Sequence, residues 1–361
     1  MKGVGLEASG LCSRHPTGVG VYGRELARAL SRRSFAAYTL LYPWSRWARA
    51  SSREPGVGLP GSFYGTGRLL GRRFLLVHAL DTRFPKKYAG PLVVNVFDVL
   101  SAMPMSADLH LSPERFRKKK VNAYEEIARR ASAIVTLSTR VRDEFLERFS
   151  PRARTVVIPP GVSGARIELE DAAERLRPLG LAPPFLLSVG ALCPRKNIEG
   201  IVRAFLSVRA KRPELKLVLV GEPSYGWKGS SGEESVRQAS GSVLLQGYLS
   251  REELWALYSS AEALLHLSHY EGYGMTVLEA LSQGTPVVAS NRGGIPEAGG
   301  GAAWLVDPDE PDSVSSTLER VLQKGSEVRD RQRRGIEHAR ELTWEQAAER
   351  VERLYQGILE A

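Results

Sequence analysis

The chain has 361 residues, more than one hydrophobic core usually serves, so two domains are expected. Its 43% hydrophobic and 25% charged residues exclude a disordered or fibrous chain. A net charge of +10, carried mostly by arginine, suits an anionic partner such as nucleotide phosphates, nucleic acid or an anionic membrane surface, while two cysteines, Cys12 and Cys193, exclude a disulfide framework.

The opening "MKGVGLEASGLCSRHP" lacks the apolar run of a secretory signal, and no segment reaches the ~18–20 apolar residues that span a bilayer. A cytoplasmic protein is expected. Strands are predicted at 2–7, 37–42, 73–78, 91–97, 132–138 and 155–159 in the first half. In the second half they fall at 185–190, 216–221, 243–247, 262–267, 286–290 and 302–306. Several are near-continuous Val, Leu and Ile runs, the pattern of strands buried on both faces of a parallel sheet. Helical patterns lie between them at 20–33, 114–130, 140–149, 197–212, 250–260, 276–284 and 310–324. The tail 328–359 reads as two helices broken near "LTW". Repeated β-then-α order predicts an α/β fold of two doubly wound, Rossmann-like domains. The seam falls in the Pro-, Gly- and charge-rich stretch 160–184. It divides residues 1–165 from 166–343, with the last helix, 344–361, returning to the first domain.

Ligands of open α/β sheets sit beyond the C-terminal ends of the strands, so the strand-to-helix loops carry the functional question. In "SRHPTGVGVYGRELARAL", Gly18 and Gly20 precede an amphipathic helix and permit close backbone approach to phosphate oxygens. A plain glycine-bearing loop explains them as well. In "SVGALCPRKNIEGIVRAF", Arg195 and Lys196 stand at a helix start, where the macrodipole disfavours cations. A bound diphosphate would remove that conflict, and Asn197 is the expected N-cap. The loop "SHYEGYGM" then places Glu271 ahead of a helix that contains Glu279. Two such carboxylates can accept from the vicinal hydroxyls of a sugar and a ribose. For Glu279 a capping box with Thr276 is the structural alternative. Another Gly-rich exit, "ASNRGGIPEAGG", holds Arg292, which could contact ligand or serve turn chemistry.

"YEGYGMTVLEALSQGTPVVASNRGGIPE" resembles the E-x7-E signature of retaining glycosyltransferases with the GT-B fold, family 4. The resemblance extends through "LLSVGALCPRKNIEGIVRAF", "VLLQGYLSREELWALYSSAEALLHLS" and "AAWLVDPDEPDSV". Upstream it takes in "TGVGVYGRELARAL", "IVTLSTRVRDEF" and "VVIPPGV", and so covers nearly the whole chain. It implies two Rossmann-like domains facing across a cleft, and a sugar moved from a nucleotide-diphosphate donor with retention of configuration. The acceptor would be a glycan or lipid-linked hydroxyl, and no metal or other cofactor would be needed. Arg195 and Lys196 would grip the diphosphate, Glu271 the transferred sugar and Glu279 the ribose. The backbone of Gly272, Tyr273, Gly274, Met275 and Thr276 would lie along sugar and phosphate. Gly18 and Gly20 would approach the diphosphate, and Tyr248 and Leu249 would seat the base. By family frequency the first donor to consider is GDP-mannose, and the pathway is assembly of a surface polysaccharide or glycolipid. Where the family commonly has His-Asp, this chain has Phe97-Asp98, and a phenyl ring can neither donate nor accept the histidine's hydrogen bond. His78, at the end of the preceding strand, is a candidate substitute on the acceptor side together with Asp98, though a structural role explains His78 more simply.

Other features have ordinary explanations. "DPD" at 307–309 reads as a turn and N-cap, and the H-x-x-H of His266 and His269 lacks the helical spacing and cysteines of a metal site. Basic and aromatic residues mix at 31–53, and "RFRKKK" (115–120) carries five cations in six positions. These suit a peripheral contact with anionic lipid on the inner face of a membrane, or are simply solvated faces. No nucleic-acid module accompanies them. Two rivals stay open, a nucleotide-sugar epimerase of the same fold and a non-catalytic nucleotide-sugar binder or scaffold. A dinucleotide oxidoreductase does not fit, because no acidic residue falls near position 40.

Overall fold

The computed structural model describes residues 3–13, 17–46, 57–68, 70–103, 113–164 and 166–360. The chain divides into two compact units. Met1–Ala102, Glu114–Gly161 and Leu342–Ala361 form the first, and Met103–Pro113 with Val162–Glu341 the second.

In unit 1 the strands β1 (Gly3–Glu7), β2 (Tyr38–Pro43), β3 (Gly61–Tyr64), β4 (Phe74–Ala79), β5 (Leu92–Val96), β6 (Ala133–Thr136) and β7 (Arg154–Val157) form one parallel sheet. Its order is β3-β2-β1-β4-β5-β6-β7. Leu6 of β1 stands between Leu40 of β2 and His78 of β4. The helices α1 (Gly18–Ser31), α2 (Leu70–Arg73), α3 (Glu114–Arg130) and α4 (Thr139–Phe149) connect the strands. Every residue of β1, β5 and β6 is buried, which explains why these strands read as continuous apolar runs. The short strand β3, "GSFY", was not predicted. It is an edge strand with one glycine and little apolar character, so its sequence carries almost no periodic signal.

Unit 2 repeats the plan with β8 (Phe185–Val189), β9 (Lys216–Val220), β10 (Val243–Gln246), β11 (Ala263–His266), β12 (Val287–Ser290) and β13 (Trp304–Val306). These too are all parallel, in the order β10-β9-β8-β11-β12-β13. Its helices are α5 (Leu169–Leu176), α6 (Ile198–Arg209), α7 (Ser231–Gln238), α8 (Arg251–Ser260), α9 (Met275–Ser282), α10 (Ile295–Gly299), α11 (Pro311–Leu322) and α12 (Ser326–Arg340). The seam predicted as irregular contains α5, and α7 was not foreseen because "SGEESVRQ" is polar on most faces.

The last helix, α13 (Trp344–Leu359), belongs to unit 1. Thr343 starts it with a capping box, accepting from Gln346 N at 3.2 Å while Thr343 N donates to Gln346 Oε1 at 3.3 Å. Trp344, Ala348, Val351 and Tyr355 are buried. The Tyr38 hydroxyl donates to Glu352 at 2.7 Å, and Arg33 pairs with the same carboxylate. Tyr355 Oη lies 2.6 Å from His78 Nδ1, and His78 Nε2 lies 2.7 Å from Asn95 Oδ1. At Gly161 any side chain would collide, since a Cβ would fall 2.2 Å from Trp344 N.

His78 is therefore withdrawn as an acceptor-side candidate. It is fully buried, both ring nitrogens are engaged, and burial, which outweighs the Asn95 bond, pushes its pKa down to about 4, so it is a neutral core histidine.

Tyr355 plugs this core with no exposed surface. Tyr355→Ala is expected to cost about 3 kcal/mol or more of unfolding free energy by denaturant titration, the scale of a buried aromatic deletion. A loss below about 1 kcal/mol would show that α13 is not integral to unit 1.

Candidate functional site

Each sheet reverses its winding once, between β1 and β4 in unit 1 and between β8 and β11 in unit 2. At such a reversal the two exit loops diverge and leave a crevice. In unit 2 the β8 exit carries Arg195 and Lys196, and the β11 exit carries Ser268, Glu271 and the start of α9.

The β8 exit folds as a short 3-10 turn, Pro194–Lys196, and Asn197 follows in the left-handed region at φ 52°. Asn197 accepts from Gly200 N at 3.1 Å and caps α6 as expected. The cations precede the helix rather than opening it. Lys196 runs across Gly190, whose φ of +144° favours glycine and where a Cβ would lie 2.8 Å from the Lys196 Nζ, so a side chain there would push the lysine aside.

Both cations converge on one oxygen. Arg195 Nη1 and Lys196 Nζ each lie 2.7 Å from Glu271 Oε1, and Ser268 Oγ donates to it at 3.2 Å. Part of the conflict between these cations and the helix start is thus relieved by the protein itself. Burial would raise the Glu271 carboxyl, but the charges of Arg195 and Lys196 hold it well below the usual carboxylate range. His266 lies beneath, with Nε2 3.9 Å from the same oxygen and Nδ1 3.2 Å from the Thr276 hydroxyl. Burial, with the nearby Lys196 charge, pushes its pKa down to about 3, so this imidazole is neutral. Counting Arg195, Lys196 and Glu271, the cluster carries one net positive charge.

The backbone of this loop is stitched in place. His269 N donates to Arg195 O at 2.9 Å and Gly294 N to Glu271 O at 2.8 Å. Gly293, at φ 58°, would put a Cβ 2.2 Å from Glu271 O. Helix α9 begins after Gly274, at φ 107°, with no side-chain cap. Its first amides, at Met275 and Thr276, therefore point from a helix N-terminus toward the Gly272–Gly274 loop.

The capping box of Thr276 and Glu279, the structural alternative for Glu279, does not form. Thr276 lies inside the helix and faces His266. Glu279 instead accepts from the Tyr258 hydroxyl at 3.0 Å and pairs with Arg251 at 3.5 Å. Tyr273 is buried, as is Leu249 beyond β10, and Tyr248 is 44% exposed. Asp307 forms the expected turn, accepting from Asp309 N at 3.0 Å, but α11 starts after Glu310 without a side-chain cap, so no aspartate caps it. Arg292 is committed to Asp307 at 2.7 Å and Asp309 at 3.0 Å.

Unit 1 has its own crevice at the β1/β4 reversal, a cavity of about 290 Å³. Thr17 and Val19, at the start of α1, line it with Asp81, Arg83, Phe97, Asp98 and Lys120. Gly18 is the first residue of α1, and Gly20 is buried in its first turn. Residues 14–16 of that loop lie outside the described residues. Phe97 packs edge-on against Tyr22, with ring centroids 5.0 Å apart.

Sequence reasoning singled out Glu271, Glu279, Arg195 and Lys196 but missed His266 and Ser268 beside Glu271, Tyr258 and Arg251 beside Glu279, and Asp81 with Arg83 entirely. His266 was noticed only as a metal-ligand letter pattern. Its position at the end of a buried strand was the available signal.

Residues 174–342 match the family model described as glycosyl transferases, group 1. Over most of its length the chain is similar to the O-antigen chain mannosyltransferase B of Escherichia coli, at 29% identity over 358 residues, 91% of this chain and 93% of that protein. Among solved structures it shares its fold with a sucrose-phosphate synthase from Thermosynechococcus elongatus (TM-score 0.76, 19% identity, 100% of both chains). It does so equally with Anabaena Alr3699/HepE in complex with UDP-glucose (TM-score 0.75, 19% identity, 99% of this chain and 100% of the other).

The Glu271 charge has a consequence for stability. Its folded pKa lies below the unfolded value of about 4.3, so it stabilises above that pH, and the contribution fades as pH falls. The stability difference between wild type and Glu271→Gln is expected to be widest above about pH 5 and to narrow toward pH 3 in urea titrations. A difference that widens on acidification would contradict the paired, ionised state.

Proposed function

We propose a reaction for what is, by its fold and matched domain, a GT-B glycosyltransferase of the group 1 type: transfer of a hexosyl unit, with retention, from a nucleotide-diphosphate sugar held in unit 2 to a glycan or lipid-linked hydroxyl. The observation that carries it is the convergence of Arg195 and Lys196 on Glu271 Oε1 at the sheet reversal. The net positive charge of the cluster, with the α9 N-terminus, suits a diphosphate.

In the reaction, the bond between the anomeric carbon and the donor phosphate oxygen breaks. The acceptor oxygen bonds to the same carbon from the same face, and its proton passes to the departing phosphate. Arg195 and Lys196 stabilise the charge that develops on that leaving group, which is the work otherwise given to a divalent ion. Metal-independent transfer follows from this division of labour. Glu271, fixed by Arg195, Lys196 and Ser268, is assigned to a hydroxyl of the transferred sugar. Glu279, fixed by Tyr258 and Arg251, is assigned to the ribose. The Gly272–Thr276 backbone lies along sugar and phosphate, and Tyr248 with Leu249 seats the base.

The name of the Escherichia coli relative favours a mannosyl donor, and GDP-mannose is the first to test. The Anabaena structure, solved with UDP-glucose, supports a nucleotide sugar in general. No helix of the described residues is long and apolar enough to cross a membrane. Peripheral contact with anionic lipid stays in the proposal, because Trp44 is 61% and Phe116 50% exposed, with Arg115 over the Phe116 ring at 4.8 Å. Residues 47–53 of the first basic stretch lie outside the described residues. Co-sedimentation with vesicles that contain phosphatidylglycerol, and absence from neutral vesicles, is the expected result.

Arg195→Ala is expected to weaken nucleoside diphosphate binding by about 1.5–3 kcal/mol, the range for a charged hydrogen bond. Wild-type affinity in that variant, by calorimetry, would remove the diphosphate assignment. Glu271→Ala is expected to abolish transfer, while nucleotide affinity stays the same or rises as the cations lose their internal anion. With the wild-type enzyme, NMR of the product should show the anomeric configuration of the donor, and inversion would refute the mechanism.

A further inference from the structure

His266 has one ring nitrogen engaged and one idle. It ends strand β11, is 2% exposed, and has Nδ1 3.2 Å from the Thr276 hydroxyl in the first turn of α9. Its Nε2 has no hydrogen-bond partner among the described residues, yet it lies 3.9 Å from Glu271 Oε1. That separation is about 1 Å beyond a hydrogen bond.

The imidazole is neutral, because burial and then the Lys196 charge oppose protonation, so it carries a single N–H. With the proton on Nδ1, the Nε2 lone pair would be buried close to a carboxylate oxygen, acceptor against acceptor. With the proton on Nε2, the Thr276 hydroxyl donates to Nδ1 and an N–H stands close to the carboxylate. The second tautomer is the favourable one. It still leaves a buried N–H without an acceptor, which is costly and uncommon.

A bound diphosphate would supply the missing bond indirectly. Arg195 Nη1 and Lys196 Nζ, both 2.7 Å from Glu271 Oε1, are the groups assigned to the donor. Phosphate oxygens compete for them, so nucleotide binding thins the hydrogen bonding of Glu271. The carboxylate must stay ionised in a loop where its side chain is 17% exposed. Ser268 Oγ, at 3.2 Å, can keep one bond. The other donor within reach is His266 Nε2, and a small rotation of the carboxylate closes the gap.

We propose that His266 is a positioning residue that takes hold of Glu271 when the donor's diphosphate draws Arg195 and Lys196 away. Its Nε2–H then bonds Oε1, and no proton changes hands. Glu271 keeps the two cations in place for the donor, and His266 keeps Glu271 in place for the sugar. This rests on the donor-site reading above and adds how that site exchanges partners.

The two ring nitrogens can be replaced separately. In His266→Gln the amide N–H reaches the Nε2 position, whereas the shorter side chain of His266→Asn reaches only the Nδ1 position beside Thr276. Calorimetry with GDP, UDP and ADP on the full chain compares both variants with wild type, alone and combined with Glu271→Gln. For the nucleotide that wild type binds, His266→Asn should weaken binding about tenfold, the loss of one charged hydrogen bond, and His266→Gln less than about threefold. With Glu271→Gln in place there is no buried charge to hold, and His266→Asn should then change affinity less than about twofold. A merely structural histidine would give the same loss in both backgrounds. Nitrogen NMR of the wild-type imidazole, assigned through the His266 backbone, needs no variant to fold. It should show the proton on Nε2, and the bound nucleotide should move that proton downfield as the bond forms. Equal losses in the two backgrounds, equal behaviour of the Gln and Asn variants, or a proton on Nδ1 that ignores nucleotide would each overturn the proposal and leave the donor site standing. If wild type binds none of the three nucleotides, the donor-site reading falls and this proposal falls with it.

Discussion

Glu271 keeps its charge in a largely dry loop because Arg195 and Lys196 both reach its Oε1 at 2.7 Å. Removing Glu271 would leave two buried cations uncompensated, a situation that commonly costs several kcal/mol, whereas removing either cation leaves the other paired. Much of unit 2 around the sheet reversal serves that arrangement. Gly190 gives Lys196 its path, Gly293 and Gly294 hold the Glu271 backbone, and His266 stays neutral beneath it, so no third cation competes. An ion cluster of this kind adds little to stability for its cost, which is a physical reason to assign it to ligand chemistry.

The two units share a plan but differ in electrostatics. Each places a crevice where its strand order reverses. In unit 2 two cations meet one carboxylate, which leaves positive charge for a diphosphate. In unit 1 Asp81 balances Arg83 and Asp98 balances Lys120. The protein's overall net charge of +10 therefore does not describe either crevice.

The sheets were legible because β1, β5, β6 and β11 are buried on both faces, which forces continuous apolar runs. Strand β3 and helix α7 were not, since an edge strand with a glycine and a polar eight-residue helix carry little periodicity. At the site, Arg195 and Lys196 drew notice by breaking a local helix rule, and Glu271 by lacking a structural excuse. Their mutual pairing was not legible, because the two cations and Glu271, far apart in sequence, meet only through the parallel β8/β11 pairing. The Thr276 capping box, weighed as the alternative for Glu279, does not form because Gly274, at φ 107°, is the residue before the helix, and a sequence does not print φ. His78 looked available for an acceptor only until Tyr355, 277 residues later, was seen to cover it.

The central claim is that two cations, rather than a metal, hold the donor's diphosphate. Calorimetric titration of GDP, UDP and ADP into the wild-type protein, with EDTA and again with magnesium, tests it most directly. The account predicts selective binding of one nucleotide with the same affinity in both buffers. Binding that appears only with magnesium, or no binding of any nucleotide, would contradict it.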